Sequence, residues 1–184
     1  MRAAKFRIWW PLFLMFALTV FAQNNLVVKS QQQVGNWNVT VAINVWNDEE
    51  FTLAVLQDRS GQGELGLICV GQSPRFIVET KFAVLDEHPR GAYRFGNAEA
   101  VGVRWLMTNG RAFSPTFVLD EEGSFDLDRS MDDSLFYQKL LNANPPIYIL
   151  GVENISGEMN TLIFDLEGTR ELSNYMPCLK AASK

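Results

Sequence analysis

The residues in this 184-residue chain with chemistry to offer are two cysteines, one histidine and a run of carboxylates. Cys69 lies inside Glu64-Leu65-Gly66-Leu67-Ile68-Cys69-Val70, and Cys178 lies six residues before the end. Two distant cysteines in an oxidising compartment most simply form one disulfide. The sharper reading, a cysteine nucleophile, needs a base, and the only histidine is His88, beside a proline in a polar loop. One histidine and two cysteines make none of the usual zinc ligand sets. The acidic stretch Asp120-Glu121-Glu122, with Asp126, Asp128, Asp132 and Asp133, lacks the spacing of a twelve-residue calcium loop. No Gly-x-Ser-x-Gly occurs. Paired carboxylates for hydrolysis can be drawn between many acids here, and only their separation decides. The expectation is therefore a disulfide between Cys69 and Cys178, no catalytic residue, no metal site and no cofactor.

The compartment follows from the first 22 residues. Arg2, Lys5 and Arg7 precede an uncharged apolar run from Ile8 to Ala22, a signal-peptide pattern with cleavage expected after Ala22. That run, about 15 residues with Pro11 inside it, is shorter than the roughly 20 that span a bilayer. The expected protein is periplasmic or secreted, with no membrane insertion after cleavage. Removing 22 residues from 184 leaves 162, enough for one domain with a sizeable core. It also moves the formal charge from −5 to −8, because three basic residues go. An acidic chain without a Lys/Arg run argues against a nucleic-acid partner.

Gln23 to Gly35, with Gln31-Gln32-Gln33, is polar and reads as a flexible leader over 23–35, ahead of a single disulfide-closed domain over 36–184. From Trp37 to Trp46 the chain alternates strictly, the mark of a half-buried strand, and this is the first strand expected. Phe51 to Leu56 follows, and should pair as a hairpin with the Cys69 strand. That strand is apolar on both faces and belongs inside a sheet. Arg75 to Val84 alternates again, and Ala92 to Phe95 is short. Val101 to Met107 and Ala112 to Leu119 flank Asn109-Gly110, which favours a two-residue turn setting Trp105 opposite Ser114. Pro115 marks an edge or a bulge. A helix is expected over about Met131 to Leu141 behind Ser130, then strands at Ile147 to Leu150 and Thr161 to Phe164, then a short helix from Gly168 that Pro177 ends. The fold class is mainly β, with α+β open as an alternative: an antiparallel sheet or β-sandwich carrying two short helices near the C-terminus.

Trp37-Asn38-Val39, Leu67-Ile68-Cys69, Tyr93-Arg94-Phe95, Val103-Arg104-Trp105 and the ending Phe164-Asp165-Leu166-Glu167-Gly168 through Cys178 together carry a resemblance. The chain resembles periplasmic accessory proteins of the TagO/VasI type linked to type VI secretion, and more loosely the invasion-associated locus B proteins. The resemblance spans about Gly35 to Leu179. It lacks the further cysteine-containing segment often found upstream in the secretion-linked group. It implies an extracytoplasmic, non-catalytic protein with a disulfide.

The function expected is a binding or assembly accessory protein of the bacterial cell envelope, linked through the resemblance to a secretion system, with a protein partner. The alternative is an extracytoplasmic hydrolase acting on glycan or peptide through carboxylates. Aromatics and arginine concentrate at contact hot spots, so the surface expected to meet a partner is Tyr93, Arg94, Arg104, Leu106, Phe113 and Phe117. For the phenylalanines the competing role is ordinary packing between layers.

Overall fold

A computed structural model describes residues 26–84, 87–119 and 131–182, without the side chains of Val70, Phe117, Val118, Leu119, Ala181 and Ala182. The expected signal peptide, residues 1–22, and the carboxylates Asp120, Glu121, Glu122, Asp126 and Asp128 lie outside the described residues. Ten strands form one antiparallel sheet: β1 (Leu26–Val34), β2 (Trp37–Asn44), β3 (Glu50–Gln57), β4 (Gly63–Val70), β5 (Ser73–Thr80), β6 (Arg90–Phe95), β7 (Val101–Met107), β8 (Ala112–Leu119), β9 (Ile147–Glu153) and β10 (Met159–Asp165). Their order is β1-β2-β3-β4-β5-β8-β7-β6-β9-β10. Helix α1 (Asp133–Asn142) sits between β8 and β9 in the chain, and a 3-10 turn (Glu171–Asn174) and helix α2 (Pro177–Ala182) close it.

β4 lies inside the sheet, paired with β3 and β5, as its two apolar faces require. The sheet coils around α1, whose Phe136 touches Phe76 of β5, Phe95 of β6 and Tyr148 of β9 at ring distances of 4.7, 5.6 and 5.4 Å. The coil brings β10 back to the end of β3. The Arg59 amide donates to the Ile163 carbonyl at 2.9 Å, and the Arg59 guanidinium grips Asp165 with two bonds of 2.9 and 2.6 Å. Inside lies one apolar cluster that includes Trp37, Leu65, Leu67, Trp105, Phe113, Tyr148 and Phe164, all without solvent exposure.

Cys69 and Cys178 form the disulfide, joining β4 to α2 across 109 residues. Cys178, Met176 and Leu179 are fully buried, so the bond anchors a segment that packs into the core in its own right.

Four expectations need correction. Residues 26–34 are strand β1 and not a flexible leader, so the first strand precedes Trp37. β1 pairs with β2 along its whole length and is polar because, at the sheet's edge, both its faces meet water. The β7–β8 turn is wider than two residues. The Asn109 side chain accepts from the Arg111 and Ala112 amides, Thr108 bonds back to Ala112, and Met107 pairs with Phe113. Beyond it Trp105 meets Val118, so Ser114 to Phe117 bulge opposite Leu106 alone, around Pro115. Asp132 caps α1, its carboxylate accepting from the Leu135 amide, in place of Ser130, which lies outside the described residues. Pro177 opens α2 instead of ending a helix, since at a first helical position its missing N–H costs nothing.

Candidate functional site

The residues expected to meet a partner divide between the two sides of the sheet. On β6 and β7 the odd positions point into the core and the even ones outward. Tyr93 is half-buried on the inner side, its ring 5.8 Å from Phe95 and 6.1 Å from Trp105, and burial pushes its hydroxyl above the ordinary tyrosine value. Phe113 is fully buried against Trp105 at 4.9 Å and has no surface to offer. The Phe117 side chain lies outside the described residues. Arg94, Arg104 and Leu106 do share the outer side, with Arg94 and Leu106 exposed and Arg104 half-buried.

Strand pairing supplies the rest of that outer face. Arg94 pairs with Ile149, and Ile149 with Ile163, giving a row of one arginine and two half-buried isoleucines. The next row, Gly102, Ala92, Gly151 and Thr161, is low, with open space where a Gly102 side chain would stand. In the third row Arg104 stands directly opposite Arg90, a like-charge pair that is unfavourable unless neutralised. Glu153 answers it. Its carboxylate accepts two bonds from the Arg90 guanidinium, at 3.1 and 2.7 Å, and these, with a smaller contribution from Arg104, hold it below the usual carboxylate range. Arg104 also donates to the His88 carbonyl at 3.1 Å. The Arg94 guanidinium makes no hydrogen bond or ion pair with any described residue. The face therefore carries more positive than negative charge on an acidic chain, beside apolar rows.

Ile149, Ile163, Arg90 and Glu153 were not singled out in the sequence. Arg90 joins it through the pairing of β6 with β7. Ile149, Glu153 and Ile163 join it through β9, which pairs with β6 from more than fifty residues further along the chain (Phe95 with Tyr148), and through the β9–β10 hairpin.

Chemistry elsewhere is sparse among the described residues. No group of three or more His, Cys, Asp or Glu there is placed to hold a metal ion. Asp132 and Asp133 are occupied structurally: the Asp133 carboxylate accepts from the Phe76 amide at 3.0 Å. Glu64 and Glu79 stand directly opposite each other on β4 and β5. Burial raises both carboxyls above their ordinary values.

The motif that ends the chain is a packing device. Phe164 and Leu166 are buried, Asp165 takes Arg59, and Gly168 crosses Gly35 so closely that a Cβ on Gly168 would lie 2.2 Å from the Val34 carbonyl oxygen. Thr169 then accepts from the Trp37 indole at 3.0 Å through its hydroxyl and from the Tyr137 hydroxyl at 3.2 Å through its carbonyl. No known protein family, curated protein or solved structure matches this chain.

Proposed function

We propose that this protein is an exported, non-catalytic binding or assembly component of the bacterial cell envelope, working beside a secretion system, and that its partner docks on the outer face of β6, β7, β9 and β10. The observation that carries the reading is the Arg94 guanidinium, without a partner among the described residues, on that face with Arg104, Leu106, Ile149 and Ile163 around it, on a chain whose acids outnumber its bases by 21 to 16. A partner surface with carboxylates flanked by apolar side chains complements it. Export is supported by the disulfide, which persists in oxidising compartments, and by the signal-peptide pattern of residues 1–22. Among the described residues no helix is long and apolar enough to cross a membrane.

Crosslinking in the intact cell envelope, followed by mass spectrometry, tests the reading. The wild-type chain should capture a defined protein partner, and Arg94→Glu combined with Leu106→Asp should lose it while the disulfide and thermal midpoint are retained. Recovery of no partner, with purified protein cleaving a glycan or peptide and losing that activity in Glu64→Gln or Glu79→Gln, would replace it with the hydrolase.

A further inference from the structure

A ten-stranded sheet has two edges, and in this protein they are treated differently. The outer edge of β10 is covered over its C-terminal part. There the Ile163 and Asp165 carbonyls accept from the Arg59 amide at 2.9 Å and the Asn36 side-chain amide at 3.4 Å, and just beyond the strand the Glu167 carbonyl accepts from the Asn36 backbone amide at 3.0 Å. Among the described residues nothing bonds to the main-chain groups that β1 turns away from β2, and of its nine residues only Val34 is buried.

Edges left open are ordinarily shortened, charged or broken by proline. β1 is the longest strand, contains no proline and carries one charge, Lys29, which lies at a bulge and is neutralised by Glu50 at 3.0 Å. Its remaining polar side chains, Ser30 and Gln31 to Gln33, are uncharged and combine donors with acceptors. At its start Val27 and Val28 are 53% and 42% exposed, beside Val45 and Trp46 at 54% and 79% in the β2–β3 turn. An acidic chain thus presents one long edge free of acids, with exposed apolar side chains at one end.

We propose that β1 is a self-association edge, and that two copies of this chain pair through antiparallel β1 strands into one continuous twenty-stranded sheet. Two features on the page select a second copy over another strand. The contact is self-complementary, since an antiparallel two-fold sets the same uncharged amide side chains against one another with no like-charge clash. It also closes, because a two-fold contact uses the β1 edge of both copies and leaves no β1 edge for a third. This goes beyond the partner face on β6 to β10, which lies on a different part of the sheet and stays free in the dimer.

Sedimentation equilibrium of the chain as isolated from cells, across a wide range of protein concentration, is the test, together with hydrogen exchange of the β1 amides. The expected result is a monomer–dimer equilibrium that goes no further than two copies, with β1 amides exchanging more slowly at the dimeric end of the range. Ser30→Lys with Gln32→Lys, two exposed side chains without hydrogen bonds of their own among the described residues, should weaken the dimer at least tenfold and leave the thermal midpoint of the dilute monomer unchanged. A monomer at every concentration overturns the proposal. So does a dimer of undiminished affinity in the double variant, β1 exchange that is independent of concentration, or capture on β1 of a strand from a different protein by a chain that is monomeric alone.

Discussion

The Trp105 indole N–H reaches across the sheet to the Gly151 carbonyl, 3.0 Å away, through the space that Gly91 leaves empty. A Cβ on Gly91 would lie 2.0 Å from the indole nitrogen and 2.5 Å from the Gly151 oxygen. Trp105 is fully buried, so this one bond satisfies its only polar atom. It also ties β7 to β9 across the intervening β6.

Gly91→Ala should therefore destabilise the fold by about 2 to 3 kcal/mol, through overpacking and loss of that bond. Urea unfolding followed by Trp fluorescence reads it directly. A midpoint equal to the wild type would show that the indole does not occupy this position.

The crossing of Gly35 and Gly168 gives a second, internally controlled case. Gly168 has φ +88° and its Cβ would meet the Val34 carbonyl, whereas Gly71 has φ +60° and open space around it. Gly168→Ala should cost about 3 kcal/mol or more, from strain and clash together, and Gly71→Ala only about 1 kcal/mol. Equal losses in thermal stability would mean that backbone conformation alone decides at both sites.

Tyr148 is buried among Phe95, Phe136 and Phe164, and its hydroxyl has no hydrogen-bond partner among the described residues. Burial pushes that hydroxyl well above the ordinary tyrosine value. Tyr148→Phe removes an unsatisfied group and keeps the ring, so stability should be unchanged or rise by about 1 kcal/mol. A clear loss of stability on calorimetry would reveal a partner for the hydroxyl.

Much of this architecture was legible because alternation and turn chemistry are local. β2 to β8 and the hairpin of β3 with β4 were anticipated from such signals, and the Cys69–Cys178 bond from two cysteines behind a signal-peptide pattern. β1 was not, because a strand polar on both faces has no periodicity to betray it. The β7–β8 register escaped because the Asn109 side chain, and not the Asn-Gly backbone alone, shapes the turn. The face proposed to meet a partner was half legible: Arg94, Arg104 and Leu106 fall together, while Tyr93 and Phe113 turn inward by parity. Sequence parity separates even from odd positions within a strand but does not say which set meets water.

Glu64 gives the pH dependence. Burial, the largest cause, raises its carboxyl above the ordinary value, Lys81 opposes the rise and the facing Glu79 adds to it. A carboxyl raised in the folded state binds its proton more tightly there than in the unfolded chain. Its ionisation thus costs stability above the folded value, and the cost vanishes as pH falls below the unfolded value of about 4.3. Glu64→Gln should stabilise by about 0.5 kcal/mol at pH 7 after solvent screening, with the gain shrinking as pH falls toward that value. A gain that persists unchanged at pH 4 would point to packing instead of charge.

The proposed export of this disulfide-closed β domain is tested most directly by the intact mass of the non-reduced chain recovered from its own compartment. The predicted mass is that of residues 23–184 less two hydrogens. Reduction with Cys178→Ser as reference should then show a stability loss of about 4 to 5 kcal/mol for a loop of this length. A chain that still carries residues 1–22, with two free thiols, would contradict the claim.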